Sequence, residues 1–222
     1  MLYMKKYLLI ITLLFLSGCE NNQIKTVIQQ GLDSQNPTGE TGICFTVGEV
    51  DYPYTSHEVT GELDERGYNR FIVRNNTLNK RLALFSQLGL LSEQPAVDKD
   101  GKPTGFYHYD LTELGEKYRY FYHNNKQIFC FGRVIVDSIA SKQESLTSLD
   151  KMLVNVGYKF HVEGEIPEWA KSPLLNSIGM MKLSKNSDSI DWNDGYSSQF
   201  FFRQKDNSLE IAIGIIPNIY GT

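Results

Sequence analysis

The rhythm of hydrophobic and polar positions changes several times along the chain. Tyr7 to Leu16 is an apolar run, with Thr12 within it, behind Lys5 and Lys6. It is too short to cross a bilayer as a helix, which takes about 20 residues. From Gln23 to Leu32, apolar residues recur at helical spacing: Ile24, Val27, Ile28 and Leu32. That pattern predicts a short amphipathic helix, with Gly31 weakening its last turn. Asp33 to Gly42 is polar and carries Pro37 and Gly39, so it reads as a loop. Ile43 to Val50 reads as a strand and Asp51 to Asn69 as turns. Phe71-Ile72-Val73 is a short extended run. Leu78, Leu82, Phe85 and Leu88 share one helical face, with Asn76 or Thr77 as cap and Gly89 as the stop. Asp98 to Gly101 is a hairpin turn, Gly105 to Leu111 a strand, and Thr112 the cap of a short helix.

Near Ile128 the pattern turns to long strands. Ile128 to Ala140 is expected as one strand, with Gly132 suited to a bulge. Leu153 to Glu163 alternates strictly, placing Val154, Val156, Tyr158, Phe160 and Val162 on one face. Pro167 to Lys171 reads as a helical turn begun by proline. Trp169 is expected to bury its ring on the following sheet while Lys171 stays in water. Ser198 to Gln204 and Leu209 to Ile216 form a hairpin across Asp206-Asn207. The expected class is α+β: a winged-helix-like helix-plus-hairpin unit, then an antiparallel sheet with one short helix. The expected division is 1–18 signal peptide, 19–42 lipidated tether and short helix, 43–127 first unit, and 128–222 sheet unit.

Composition narrows the function. The 222 residues are 41% hydrophobic and 22% charged, as in an ordinary folded protein. The formal charge is −4, and the first eighteen residues hold Lys5, Lys6 and no acid. Removing them leaves 20 of the 22 bases against all 26 acids, a charge of −6. A mildly acidic body argues against nucleic acid, whose phosphates need a clustered basic face. It argues equally against an electrostatic grip on anionic lipid.

The segment MLYMKKYLLIITLLFLSGC has the layout of an export signal, with Met1 or Met4 as its start. Its tail, Leu16-Ser17-Gly18-Cys19, resembles the lipobox of bacterial lipoproteins. The resemblance implies cleavage before Cys19, a diacylglyceryl group on its thiol and a further acyl chain (palmitate or similar) on its amine. Two or three chains anchor firmly where one is marginal. Glu20 follows where aspartate marks inner-membrane retention in Gram-negative members. The resemblance therefore implies an outer-membrane lipoprotein facing the periplasm.

Two cysteines remain, Cys44 and Cys130. An exported protein meets an oxidising compartment, so these two are expected to form a disulfide, with two buried thiols as the alternative. Neither lies in a CxxC pair.

Leu78 to Tyr118 resembles half of a winged-helix domain through Leu88-Gly89-Leu90-Leu91 and Tyr109-Asp110-Leu111-Thr112-Glu113-Leu114-Gly115. In DNA-binding members the helix carries bases to phosphates. Here Lys80, Arg81 and Lys102 are the main candidates, in an acidic protein, so a packing unit without nucleic acid is expected. More widely, Tyr109–Tyr118, Phe129–Gly132, Val154–Val162 and Pro167–Lys171 resemble an uncharacterised family of small proteobacterial periplasmic proteins and lipoproteins. Some of its members are Cpm-type proteins of carbapenem gene clusters. That resemblance implies no activity.

Catalytic patterns are sparse. His57, His108, His123 and His161 form no metal-ligand spacing, so no metal or cofactor is expected. Ser148-Leu149-Asp150-Lys151 has the SxxK spacing of penicillin-binding enzymes, without their companion motifs. Glu163, Glu165 and Glu168 beside Trp169 have the residue types of a sugar-cleaving site. The leading expectation is a membrane-anchored, non-catalytic binding or structural module. Its partners would be the membrane, through lipid on Cys19, and an envelope protein. The alternative is an envelope enzyme acting on cell-wall material or an antibiotic.

Overall fold

A computed structural model describes residues 20–122, 126–147, 151–178, 191–204 and 208–212. The class is α+β with antiparallel sheets. The chain forms two compact units, each discontinuous in sequence. One takes residues 20–42, 132–164 and 191–212, and is called the meander unit. The other takes 43–131 and 165–178, and is called the disulfide unit. No helix among the described residues is long and apolar enough to cross a membrane.

In the meander unit, helix α1 (residues 20–35) lies on a four-stranded sheet. The strands are β7 (Arg133–Leu146), β8 (Met152–Glu163), β9 (Gly195–Arg203) and β10 (Leu209–Ile211), in the order β10-β9-β8-β7. The alternation of β8 is realised: Val154, Val156, Tyr158, Phe160 and Val162 are all buried. The α1 stripe is likewise buried at Ile24, Ile28 and Leu32, while Val27 is half-buried. Each such side chain contributes roughly 1.5–3 kcal/mol by leaving water. The short helix expected between Gln23 and Leu32 is present and extends further, over residues 20–35.

Polar side chains pin α1 along β7. Gln29 Nε2 donates to the Val134 carbonyl at 3.1 Å, and Gln29 Oε1 accepts from the Val136 N–H at 2.8 Å. One amide thus covers a strip of open sheet edge, where an unpaired strand would invite aggregation. Lys25 Nζ donates to the Asp137 carbonyl at 3.0 Å. Arg133 donates from Nε and Nη2 to the two carboxylate oxygens of Asp33, both at 2.8 Å. That pairing lowers the Asp33 pKa.

The run from Ile128 to Ala140 is not one strand. It breaks at Gly132, with Ile128–Phe131 in one sheet and Arg133 onward in another. Gly132 has φ +64, and a Cβ there would sit 2.5 Å from Val162 Cγ1. Its carbonyl accepts from the Gly42 N–H at 2.7 Å and from Asn36 Nδ2 at 3.2 Å. A side chain could not take this corner, so the glycine switches sheets rather than bulging one.

The disulfide unit holds two three-stranded sheets. The first has order β1-β6-β5, with β1 at Ile43–Glu49, β5 at Arg119–Tyr122 and β6 at Lys126–Phe131. Cys44 lies directly opposite Cys130 in its ladder, and the two sulfurs are bonded. The second has order β2-β4-β3, with β2 at Tyr54–Thr55, β3 at Leu91–Val97 and β4 at Pro103–Leu111. Helix α2 (Arg70–Gln87) precedes the β3–β4 hairpin, and α3 (Glu113–Tyr118) follows it. Thr112 caps α3, its Oγ1 accepting from the Gly115 N–H at 3.0 Å.

Helix α2 starts earlier than its apolar spacing predicts. Its cap is Asn69, whose Oδ1 accepts from the N–H groups of Phe71 and Ile72. Phe71-Ile72-Val73 is therefore helical, not extended. Phe71 and Val73 face water, which is why the buried-face rhythm does not reach them.

Candidate functional site

The disulfide unit contains a cleft of about 730 Å³ between β1, the segment around Tyr54 to Val59, and the first turns of α2. That volume lies within the range of small-ligand sites. Three local features build it. Gly48, at a bulge in β1 with φ +149, lets Leu78 of α2 approach; a Cβ there would lie 2.9 Å from Leu78 Cδ1. Ser56 fixes the opposite wall by exchanging bonds with Tyr107: its N–H donates to the carbonyl at 2.8 Å, and its Oγ accepts from the N–H at 2.9 Å. Asn75 and Asn79 of α2 both donate to the His57 carbonyl, at 2.7 and 3.1 Å.

The lining mixes charge with aromatic surface. Arg74 Nη2 meets Glu49 Oε2 at 2.6 Å, with both side chains well exposed. Such a pair adds little to stability, about 0–1 kcal/mol, and remains open to an incoming charged or polar group. Arg81 is half-buried, and desolvation lowers its pKa. Tyr54 and His57 stand together, with Tyr54 Oη 3.4 Å from His57 Nδ1. Burial raises the Tyr54 pKa. Phe71 lines the cleft yet is 57% exposed. Leu63, Tyr68 and Val73 are also exposed large apolar residues in the same stretch. The arrangement can stack an aromatic or sugar face, pair with a carboxylate or amine, and bury an apolar side chain.

The residues singled out from sequence are placed as follows. Cys44 and Cys130 come together as the disulfide, buried beside Ile128. Cys19, Ser148 and His123 lie outside the described residues. Glu163 pairs with Arg133 at 3.2 Å, and Glu168 pairs with Lys171. Trp169 is buried, 4% exposed, and so offers no open face to a sugar. It packs against Phe45, Tyr118 and Phe131 of the disulfide unit, not on the four-stranded sheet. The expectation of a buried ring holds and the expected partner sheet does not. His108 Nδ1 lies 2.9 Å from Thr55 Oγ1, and His161 Nδ1 lies 2.8 Å from Asp137 Oδ1. Lys80 and Lys102 are exposed.

The cleft itself was not anticipated from sequence. Its residues are scattered over β1, the turn-rich segment and a part of α2 that reads as extended. A usable sign was Asn69, a strong cap residue followed by an unbroken stretch without glycine or proline to Leu88. No family model, curated protein or solved structure shows a significant match to the chain.

Proposed function

We propose that this chain is an exported lipoprotein, anchored through lipid on Cys19 to the periplasmic face of the outer membrane. On this reading its body is a non-catalytic module that binds an envelope protein through the α2 cleft. The observation that carries the binding role is a cleft whose lining holds the exposed ring of Phe71 beside an accessible Arg74–Glu49 ion pair. An aromatic ring beside a charged pair in a hollow of this size is the kind of lining a binding site uses. Support for the anchor is the sequence Leu16-Ser17-Gly18-Cys19 behind its basic and apolar regions.

Two measurements test the two halves. With a fatty-acid analogue fed to cells, the wild-type chain should carry label and Cys19→Ala should carry none. Equal label in both would remove the anchor. For the cleft, a photo-crosslinking amino acid at Phe71 should capture a discrete membrane-envelope protein, and Arg74→Glu should cut the yield about tenfold, an effect of 1.4 kcal/mol. If crosslinks from Phe71 match those from the exposed Val97, the cleft is not the contact.

A further inference from the structure

The lipid anchor and the folded body meet with almost no slack. Glu20, the residue after Cys19, is already helical. Its carboxylate accepts from Lys142 Nζ at 3.0 Å and lies 3.5 Å from Arg203 Nη2. Arg203 also pairs with Glu144. A single peptide link, about 3.8 Å between Cα atoms, therefore separates Cys19 from a residue tied to the sheet.

The contacts of α1 also fix its direction. Asn36 meets Gly132, Asp33 meets Arg133, Gln29 meets Val134 and Val136, Lys25 meets Asp137, and Glu20 meets Lys142. As α1 is followed back toward its start, β7 is followed forward toward its end. The start of α1 thus points toward the end of the sheet that carries Leu146 and Met152. Leu146, four residues past Lys142 and on the order of 13 Å farther along the strand, is 66% exposed there. Met152, paired opposite it, is half-buried, and Lys151 lies over the ring of Phe202. A hollow of about 520 Å³, lined in part by Ile24, Val27, Phe201 and Leu209, lies along the same stretch of α1 and includes Glu20.

We propose that this end of the meander unit rests on the lipid surface, with Leu146 and Met152 entering the headgroup region and Lys151 beside lipid phosphates. The proposal rests on Cys19 being the lipidated residue. The acyl chains hold Cys19 at the headgroup level, a zone of roughly 5–8 Å per leaflet. With no tether to lift it away, the strand end at Leu146 reaches that zone even when β7 lies aslant, because its lead of about 13 Å over Lys142 exceeds the depth of the zone. The exposed leucine and the lysine are then the surface groups such a position calls for, apolar below and cationic at the phosphates.

The test uses the full acylated chain reconstituted in phosphatidylcholine–phosphatidylglycerol vesicles. Cys19 is blocked by lipid and Cys44–Cys130 by their bond, so Leu146→Cys supplies one free thiol for a polarity-sensitive dye. Ser34→Cys, exposed and about 21 Å farther along α1, is the control. Brominated lipid should quench the dye at 146 about twofold or more and leave the dye at 34 unchanged. Protein that floats with vesicles while neither dye responds would overturn the proposal and leave the lipoprotein reading intact. A dye at 146 that is shielded from water but deaf to brominated lipid would put a protein surface there instead, also overturning it. Protein that carries no acyl chain and does not float would overturn both readings.

Discussion

Replacing Trp169 by alanine should lower the unfolding free energy by about 3–5 kcal/mol, the range for emptying an aromatic core site. The ring is enclosed edge-on by three aromatic neighbours, with centroids at 5.7 Å to Phe45, 5.6 Å to Tyr118 and 5.5 Å to Phe131. Such pairs add about 0.5–1.5 kcal/mol beyond simple burial. With a urea slope of about 1–3 kcal/mol per molar, the midpoint should fall by roughly 1–5 M. Circular dichroism is the proper readout, because the mutation removes one of the two tryptophans. Trp169→Phe should keep most of the stability, since Trp169 Nε1 has no hydrogen-bond partner in the structure to lose. An alanine variant with an unchanged midpoint would mean that the ring contributes no core packing.

The second large effect concerns the covalent link. The bond between Cys44 and Cys130 spans 86 residues of sequence. A closed loop of that size is expected to stabilise by about 4 kcal/mol, chiefly by restricting the unfolded chain. The double variant Cys44→Ala, Cys130→Ala keeps the site apolar, which suits the buried cluster with Ile128. It should lose that amount in a urea titration. Wild-type protein treated with reductant should shift by a similar amount, and the double variant should not respond to reductant. A double variant as stable as wild type would show that the ladder between β1 and β6 alone supplies the restraint.

Much of this fold was legible because burial and spacing agree. Ile24, Ile28 and Leu32 repeat at helical intervals and are the residues buried under α1. Val154 to Val162 alternate and are the buried face of β8. Asp98 to Gly101 closes the β3–β4 hairpin, its Asp98 carboxylate accepting from the N–H groups of Asp100 and Lys102. Gly89 ends α2, and the Leu90 N–H closes back on the Phe85 carbonyl. The disulfide was expected from the compartment that an export-signal reading implies, not from local pattern.

The misses have a common physical origin. Phe71 and Val73 are apolar residues spent on an exposed face, so hydrophobic rhythm cannot place them. The 128–140 run is apolar on both sides of Gly132, and nothing in that rhythm marks a change of sheet. Trp169 follows β8 in sequence but packs on strands far earlier in the chain, against Phe131 and Phe45. The discontinuous units are long-range pairings, and no window of local sequence contains both partners. The cleft inherits the first of these difficulties, through Phe71, and joins segments that are separate in sequence.

The positions of the cysteines have a mechanical meaning. The stretch 43–131 is an insert within the meander unit, entered after Gly42 and left at Gly132, whose backbones are hydrogen-bonded to each other at 2.7 Å. Cys44 and Cys130 lie just inside those two ends and are bonded. A pull applied across the insert is therefore carried by one sulfur–sulfur bond, and the residues between bear none of it. In an oxidising space the insert is inextensible. Reduction would turn it into slack, releasing roughly 300 Å of chain at full extension.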